Sequence, residues 1–412
     1  MTQHDNSTTL VVEKTGNDTA TLLMPARPGP NAIPKPRGKP MDPDQANLVE
    51  HYRGLLLNRA IHYPAHYRFV KELGHGRQGV VFLAHRHGSR GCITRHAIKL
   101  FDPGIYSSAQ NYLTDMGRIA SQISLLQPIN HAHLAQGDFY EECNGIGYIQ
   151  MPAIDGIDLQ FLLDRKQVEL ARSRSTEAEW RHFTDILFDI QGGHMGLRIG
   201  LALNILRRLV RAVDVLHDNA FVHSDIKPTN IMIDEQGMLK LVDFGRAVRI
   251  GEKVNIILGS PLYMAPEIHR RQSGMAQSDL FSIGLVALEM LSAGQISRLS
   301  DLDEESLLDI KGSMVDNLPL YLPPSAQGNK RLLRMLARFL HPDPGRRFER
   351  AIDAESGEDG LLSTRQGLDD DEREVEYSTE LERYLEKLQD PETGALNPHF
   401  ASDNLTAVIM TN

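Results

Sequence analysis

The sequence is poor in the features that mark secreted, membrane-spanning and nucleic-acid-binding proteins. Its 412 residues contain two cysteines, Cys92 and Cys143, which form neither a metal-binding spacing nor a disulfide framework. No apolar run approaches the roughly 18 residues that a membrane helix needs, and the polar N-terminus carries no secretory signal. The formal net charge of −10 argues against a nucleic-acid partner. We therefore expect a cytoplasmic chain with no membrane span.

Composition separates a central folded part from two polar ends. Residues 1–40 contain six prolines and are predicted to be a disordered leader, with a partner-binding proline motif as the alternative. Residues 41–66 are predicted to be a helical extension, with Asp42 as its N-cap and Pro43 in its first turn. Residues 353–412 are predicted to be an acidic tail that begins as a charged linker and contains a short helix from Tyr377 to Leu388.

A short polar stretch, His223–Asn230, concentrates chemistry within the central part. It carries a carboxylate, an ammonium and an amide at Asp225, Lys227 and Asn230. Before it, apolar residues recur at helical intervals from Ala202 to Leu216, and after it two short apolar segments lead to Asp243. Oxygen ligands at the ends of neighbouring elements suit a divalent cation with a bound phosphate chain.

A second cluster is rich in glycine. Gly74, Gly76 and Gly79 precede Val81, and glycines let a backbone lie close to phosphate oxygens. A dinucleotide-binding loop would open a helix, whereas residues 80–84 (Val-Val-Phe-Leu-Ala) are typical of a strand, so a hairpin over a nucleotide is expected. On the next strand, alternation predicts that Ala97 and Lys99 share a face.

Together these motifs resemble the catalytic core of the eukaryotic-type (Hanks-type) serine/threonine protein kinase family. His223-x-Asp225-x-Lys227-x-x-Asn230 is similar to the family's catalytic loop, and Asp243-Phe244-Gly245 to its metal-binding turn. The resemblance covers residues 67–352. It implies an α+β, bilobal protein-kinase fold with a small antiparallel β lobe carrying one helix (67–151) and a mostly helical large lobe (152–352). It also implies ATP and Mg²⁺ as cofactors and a protein substrate with a serine or threonine acceptor.

The resemblance also assigns roles to individual residues. Asp225 would orient and deprotonate the acceptor, and Lys227 would stabilise the transferring phosphoryl group. Asn230 and Asp243 would hold Mg²⁺. The nucleotide would be bound by the backbone around Pro152–Ile154 and by a set of small, apolar and basic residues. These are Gly74, Gly76, Gly79, Val81, Ala97, Lys99, Met151, Ala153 and Met232.

Two positions depart from the family pattern. No glutamate lies between Lys99 and Tyr140, and alignment places Gln122 where the family has the glutamate that pairs with the lysine. We expect Gln122 to accept a hydrogen bond from Lys99, with Asp115 as the alternative partner. Ser224 replaces the arginine that commonly receives an activating phosphate, and no serine, threonine or tyrosine lies between Asp243 and Gly259. Activation is therefore expected not to need phosphorylation there.

Three further matches concern structure and substrate. Residues 259–267 resemble the segment that seats a protein substrate, with Ser260 expected to bond Asp225 and Lys227. Asp279 matches the buried aspartate that holds the catalytic loop, and Arg347 matches the arginine that pairs with Glu267.

The function that these motifs favour is serine/threonine protein phosphorylation. A pseudokinase scaffold that binds nucleotide is the alternative because of Gln122, and small-molecule phosphotransfer is disfavoured by residues 259–267. Residues 165–197 are longer than the family's usual connection. They are predicted to be an insertion that either docks a partner or covers its own patch of the large lobe, and the terminal tails are further candidate partner sites.

Overall fold

The structure is a computed structural model that describes residues 42–61, 66–76, 78–135, 139–252, 261–368 and 375–400. The predicted disordered leader lies outside the described residues. A smaller lobe built on an antiparallel sheet and a larger, mostly helical lobe confirm the predicted α+β bilobal fold.

The small lobe consists mainly of strands, and the large lobe consists mainly of helices. The strands are β1 (Ala60–Ile61), β2 (Tyr67–Gly76), β3 (Gly79–His87), β4 (Ile93–Phe101), β5 (Phe139–Cys143), β6 (Ile146–Pro152), β7 (Gly156–Asp158), β8 (Phe188–Gln191), β9 (His194–Leu197), β10 (Phe221–Val222), β11 (Ile231–Asp234), β12 (Leu239–Leu241) and β13 (Val248–Arg249). The helices are α1 (Pro43–Asn58), α2 (Ala109–Leu126), α3 (Leu159–Leu162), α4 (Arg165–Ser173), α5 (Glu177–Ile186), α6 (Ile199–Asp218), α7 (Pro266–His269), α8 (Ala276–Leu291), α9 (Glu304–Ser313), α10 (Pro324–Gln327), α11 (Lys330–Phe339), α12 (Ala351–Ser356), α13 (Leu361–Arg365) and α14 (Tyr377–Glu386).

The small-lobe sheet has the strand order β1-β2-β3-β4-β6-β5, and its neighbours are antiparallel. Its outer face buries Phe82 and Ile98 in one apolar cluster with residues of α1. Its inner face packs Phe101 and Ile149 against the apolar stripe of α2. Because α1 covers the outer face, the alternate residues of β4 are left to face the cleft between the lobes.

Helix α1 begins as the sequence predicts. The Asp42 carboxylate accepts a hydrogen bond from the backbone N–H of Asp44 at 3.4 Å, and Pro43 is the first helical residue. Tyr52 and Leu55 are buried in the outer-face cluster. The helical extension is therefore packed on the small lobe.

The large lobe is organised around α6 and α8. Apolar residues at helical spacing predict a helix over Ala202–Leu216, and α6 contains that range. In α8 every residue from Ser278 to Leu291 is buried, as expected for a helix surrounded by others in a core. Among the described residues, no helix, α8 included, has the length and apolar character needed to cross a membrane.

Residues 165–197, which the sequence predicts to be an insertion, form α4, α5 and the β8–β9 hairpin, and the C-terminal helix α14 packs on them. The Tyr384 ring lies 5.5 Å from the Phe183 ring and 4.9 Å from the Phe188 ring. Lys387 Nζ lies 2.8 Å from a Glu179 carboxylate oxygen. This face of the segment is therefore covered by the C-terminal helix α14 of the same chain.

The stretch predicted to be a charged linker begins inside the fold. Glu355 lies in α12 with 3% of its surface exposed, and its carboxylate accepts hydrogen bonds from Arg207 and Arg211 of α6. A carboxylate buried in this way needs such partners, because removing its charge from water is costly. The described residues 353–368 thus form α12, α13 and the turns beside them and pack in the large lobe, rather than forming a linker.

Beyond α14 the chain returns to the junction between the lobes. The Asp155 carboxylate accepts hydrogen bonds from the backbone N–H groups of Leu396 and Asn397, at 3.1 and 2.8 Å. Phe400 is 3% exposed, and the Arg95 guanidinium lies 5.6 Å from its ring. Arg95 alternates with Ala97 and Lys99 along β4, so this C-terminal segment borders the same face of the sheet.

Candidate active site between the lobes

Lys99 extends from β4 towards the large lobe. It lies opposite Val81 on β3 and Ile149 on β6, and Ala97 lies opposite Met151 on β6. Paired residues of antiparallel strands share a face, so these side chains line one surface, as the alternation predicts. The Lys99 ammonium lies 2.8 Å from each Asp243 carboxylate oxygen and is buried.

The predicted hydrogen bond between Lys99 and Gln122 is wrong. Gln122 is 5% exposed on α2, but its side-chain oxygen accepts from Arg118 at 2.6 Å. The alternative partner, Asp115, accepts from Arg118 at 2.8 Å and from Tyr106 at 2.7 Å. A guanidinium one turn away competes successfully for both acceptors, because it carries charge and several donors.

Replacing Gln122 by glutamate is therefore expected not to raise phosphotransfer. The new carboxylate would pair with Arg118, at the i, i+4 spacing of a stabilising helix pair. We expect kcat/KM to stay within about threefold of wild type and the unfolding free energy to change by less than about 1 kcal/mol, because the cost of burying the new charge offsets its pairing with Arg118. The double variant Arg118→Met/Gln122→Glu is the control, because it frees the carboxylate. A tenfold gain from the single substitution would contradict this account.

The glycines at the end of β2 and the start of β3 have two different roles. A Cβ at Gly74 or Gly76 would meet none of the described residues within 4 Å, which leaves their backbone open to a ligand. Gly79 has a φ of +146°, and a Cβ there would lie 1.8 Å from the Leu100 carbonyl oxygen. Gly79 is thus required by the close approach of β4, which the predicted nucleotide role alone does not reveal.

Alanine at Gly79 is expected to cost at least about 2–3 kcal/mol of unfolding free energy, since strain and a backbone clash combine. Alanine at Gly74 is the matched control, and we expect a change within about 0.5 kcal/mol. Urea unfolding of the two variants tests the difference. Equal losses of unfolding free energy in the two variants would show that the β2–β3 hairpin itself, rather than contact with β4, requires glycine at position 79.

The remaining predicted nucleotide residues lie around the connection between the lobes. Met151 is the last residue but one of β6 and is half-buried, like Ala153 directly after that strand. Met232 is half-buried on β11, where it lies opposite Asp158 of β7. Residues from both lobes thus flank the connection on which the predicted adenine contacts depend.

The catalytic loop gathers its polar groups on Asp225. Lys227 Nζ and the Asn230 amide donate to one carboxylate oxygen at 2.9 and 3.0 Å. Arg246 donates to the other oxygen at 3.2 Å. The Asn230 amide also donates to the Asp225 carbonyl at 2.7 Å, so the loop closes on itself.

Asp279 holds this loop by its backbone, as the sequence predicts. Its carboxylate accepts from the N–H groups of His223 and Ser224 at 2.8 and 2.9 Å, and His217 Nε2 lies 2.9 Å away. Ser224 has a φ of +64°, a strained value that these bonds maintain. Asp279 is 1% exposed, so the catalytic aspartate is fixed from within the core.

Asp243 lies in a strongly cationic setting. Burial alone would raise the pKa of its carboxyl, but Lys99, Lys227 and Arg246 outweigh burial and hold that pKa well below its usual range. The Val242 N–H donates to the Asn230 carbonyl at 2.9 Å, which joins the two segments carrying the predicted metal ligands. Asp243 is therefore ionised at neutral pH.

The donor set fits Mg²⁺ that is shared with phosphate. Asp243 supplies carboxylate oxygens, and the Asn230 amide nitrogen is bound to Asp225, which leaves the amide oxygen as a hard donor. The described residues contain no cluster of three or more His, Cys, Asp or Glu able to hold a metal. Phosphate oxygens and water would therefore have to complete the shell.

The segment predicted to seat a substrate is anchored on both sides. Arg347 binds Glu267 through two hydrogen bonds of 2.7 and 2.9 Å, which confirms that pair. Lys311 of α9, 1% exposed, donates to the carbonyls of Pro261 and Met264 at 2.6 and 2.8 Å. Ser260 lies outside the described residues.

Sequence reasoning missed Lys311 and Arg246. Lys311 contacts His269 Nε2 at 2.9 Å as a third acceptor, and burial lowers the pKa of its ammonium to about 7. A lysine in a helix gives no sequence signal for such burial. Arg246 directly follows Gly245, so its place beside the metal-binding turn was a signal that could have been used.

Comparisons with known proteins agree with this geometry. The family model described as protein kinase domain matches residues 67–354. The chain is similar to human and mouse ribosomal protein S6 kinase alpha-3 (26% identical over 276 residues, 66% of this chain and 32% of the relative). It is also similar to serine/threonine-protein kinase PrkC of Bacillus subtilis strain 168 (33% identical over 163 residues, 38% of this chain and 24% of the relative).

The match thus spans about a third or less of the length of these curated relatives. Among solved structures, the chain is similar to the Mycobacterium tuberculosis PknI kinase domain, with 20% identity and a TM-score of 0.46. That similarity covers 73% of this chain and 95% of the other.

Proposed function

This chain belongs to the protein kinase domain family, and we propose from that premise that it transfers the γ-phosphate of ATP, with Mg²⁺, to serine or threonine hydroxyls of proteins. One observation supports this most directly. Lys99 of the small lobe is bound to Asp243 of the large lobe, and Asp243 follows the strand bonded to the loop that contains Asp225 and Asn230. Four polar groups scattered over the sequence thus meet at one cleft.

In this proposal the nucleotide lies between the lobes. The open backbone at Gly74 and Gly76, with Gly79 fixing the turn, covers the phosphates, and Lys99 binds them. The purine lies among apolar and small side chains at the connection between the lobes. These are Val81, Ala97, Met151, Ala153 and Met232.

Catalysis rests on position and charge. Mg²⁺ held by Asn230 and Asp243 would neutralise charge between the phosphates. Asp225 accepts the acceptor's proton and holds the hydroxyl in line, while Lys227 stabilises the transferring group. In the family that the sequence resembles, a lysine at this place goes with serine and threonine acceptors.

The test is phosphotransfer from radiolabelled ATP to a degenerate peptide library, with and without Mg²⁺, followed by phosphoamino-acid analysis. We expect phosphoserine and phosphothreonine, and loss of transfer on chelation. Phosphotyrosine as the main product would overturn the acceptor class. Transfer only to small molecules would overturn the protein substrate.

A pseudokinase scaffold is the second candidate, favoured by the observation that Gln122 binds Arg118 and not Lys99. The two candidates give different results in the same assay. A chain that binds ATP but transfers no phosphate, with or without Gln122→Glu, would support the scaffold.

We also infer that activity does not need a phosphate between Phe244 and Leu258. That stretch has no hydroxyl side chain, and Ser224 offers no guanidinium to receive a phosphate. Full activity after phosphatase treatment is expected. Loss of activity together with an activating phosphosite mapped inside the stretch would contradict the inference.

A further inference from the structure

Arg246 lies at the centre of the cleft, although no step described so far uses it. It follows the Asp243-Phe244-Gly245 turn and ends a short 3₁₀ helix. One terminal nitrogen of its guanidinium donates to Asp225 Oδ1 at 3.2 Å, and 13% of the side chain is exposed. Lys227 binds Oδ2 of the same carboxylate at 2.9 Å. Two cations therefore flank the catalytic aspartate, one on each oxygen.

Most hydrogen-bond donors of the Arg246 guanidinium have no acceptor among the described residues. Arginine has five N–H donors in a planar fork, and within the described residues only the contact with Asp225 engages it. Its Nε is buried and has no hydrogen-bond partner in the part of the chain that the structure describes. A buried, unsatisfied donor is costly, and it calls for an explanation such as a catalytic role or a missing ion.

The charge of the cleft indicates the sign of the missing ligand. The carboxylates of Asp225 and Asp243 are faced by three cations, Lys99, Lys227 and Arg246. Gln122, which aligns with the family's glutamate, is neutral, and within the described residues none of the three cations contacts a third carboxylate. The free N–H groups and the excess positive charge both suit an anion, and the arginine fork matches phosphate oxygens.

We propose that Arg246 is a catalytic residue that leaves Asp225 Oδ1 during turnover and donates to the oxygens of the transferring phosphoryl group. The proposal rests on the proposed kinase activity. Lys227 binds this group from one side of Asp225, and Arg246 supplies the charge on the other. An arginine supplied from within the chain plays this part in other phosphoryl-transfer enzymes.

The chemical step then has a defined order of contacts. The acceptor oxygen forms a bond to the γ-phosphorus, the bond from that phosphorus to the bridging oxygen breaks, and its electron pair stays on ADP. The acceptor's proton passes to Asp225, whose Oδ1 becomes free when Arg246 moves to the phosphoryl oxygens. Because the new hydrogen bonds form only as charge develops there, Arg246 binds the transition state more tightly than bound ATP.

The test compares Arg246→Met, Arg246→Lys and the control Arg249→Met, which removes an exposed arginine on β13. We expect Arg246→Met to lower kcat by about 10- to 100-fold, the worth of one charged hydrogen bond, with the KM for ATP changed less than threefold. Arg246→Lys should recover part of the loss. Arg249→Met should behave as wild type, and melting temperatures confirm that each variant is folded.

A binding measurement without turnover provides the second readout. In the presence of Mg²⁺ and an acceptor peptide, Arg246→Met should weaken binding of ADP with aluminium fluoride by the same factor, and leave the affinity for ADP unchanged. A wild-type or higher kcat in Arg246→Met would overturn the proposal, as would equal losses for ADP and for ADP with aluminium fluoride. A wild-type chain that binds ADP but transfers no phosphate would overturn the kinase activity itself.

Discussion

Replacing Asp225 with asparagine is expected to lower the rate of phosphotransfer by about 10²- to 10⁴-fold, the range contributed by a positioned general base. Asparagine keeps the shape of the side chain but loses its charge. It would not take the acceptor's proton, and it would hold Lys227 and Arg246 only weakly, at sites now 2.9 and 3.2 Å from the carboxylate. The rate therefore falls for two reasons: the acceptor's proton has no base to accept it, and Lys227 and Arg246 are held less firmly in place.

The affinity for ATP should survive the same substitution. Lys99 is bound to Asp243, at 2.8 Å from each carboxylate oxygen, and neither group depends on the charge of Asp225. Initial rates with radiolabelled ATP and the fluorescence of a bound ATP analogue measure the two quantities separately. Retained binding with lost transfer is the expected result.

The control for this experiment is Glu235→Gln, the same change of carboxylate to amide on an exposed turn after β11. It should leave both quantities as in wild type. Transfer by Asp225→Asn at more than about a tenth of the wild-type rate would show that another group serves the acceptor. That result would also contradict the roles assigned to Lys227 and Arg246, because both were inferred from their contacts with Asp225.

Residues that follow a structural period were predictable from the sequence. Alternation along β4 put Ala97 and Lys99 on one face, and the register with β3 and β6 agrees. Helical spacing located α6, and the polar loop after it carried enough chemistry to identify the family. In these cases local pattern and tertiary structure impose the same requirement.

Gln122 shows where the pattern stops being sufficient. Alignment with the family placed it at the position of the glutamate that pairs with the lysine, but no pattern tells which of two cations an amide will bind. Arg118 lies one turn away on the same helix and reaches Gln122 without any movement of the lobes. Lys99 instead has Asp243, a charged partner 144 residues away in the sequence.

Long-range packing accounts for the other failures. The interpretation of Glu355 to Glu376 as a charged linker rested on acidic composition, but the Glu355 carboxylate is paired with Arg207 and Arg211 in the folded state. Likewise, nothing near α14 in the sequence indicates that this helix packs against Phe183 and Phe188. Composition gives the net charge of a segment, but it does not show which of its charges are paired after folding.

The second large effect is expected in α14, where Tyr384→Ala should lower the free energy of unfolding by about 3–5 kcal/mol, the usual cost of removing a buried aromatic ring. Tyr384 is 0% exposed and lies edge-on to the Phe183 ring, with Phe188 at 4.9 Å. Removing the ring leaves a cavity between α14 and the insertion, which close packing cannot fill without moving the helix.

Tyr384→Phe should change stability in the opposite direction. The Tyr384 hydroxyl is buried with no hydrogen-bond partner among the described residues, and burial raises the pKa of that phenol. Phenylalanine keeps the ring contacts and removes the unsatisfied group, so we expect a gain of about 1 kcal/mol. Opposite signs at one position separate ring packing from the cost of the hydroxyl.

Urea unfolding of the two variants, beside the exposed control Glu382→Ala on the same helix, measures these changes. The control should stay within about 0.5 kcal/mol of wild type. Because the chain beyond α14 continues to Asp155 at the junction of the lobes, loosening the helix should also weaken ATP binding in Tyr384→Ala. A Tyr384→Ala variant as stable as wild type would mean that α14 does not dock on the insertion in solution.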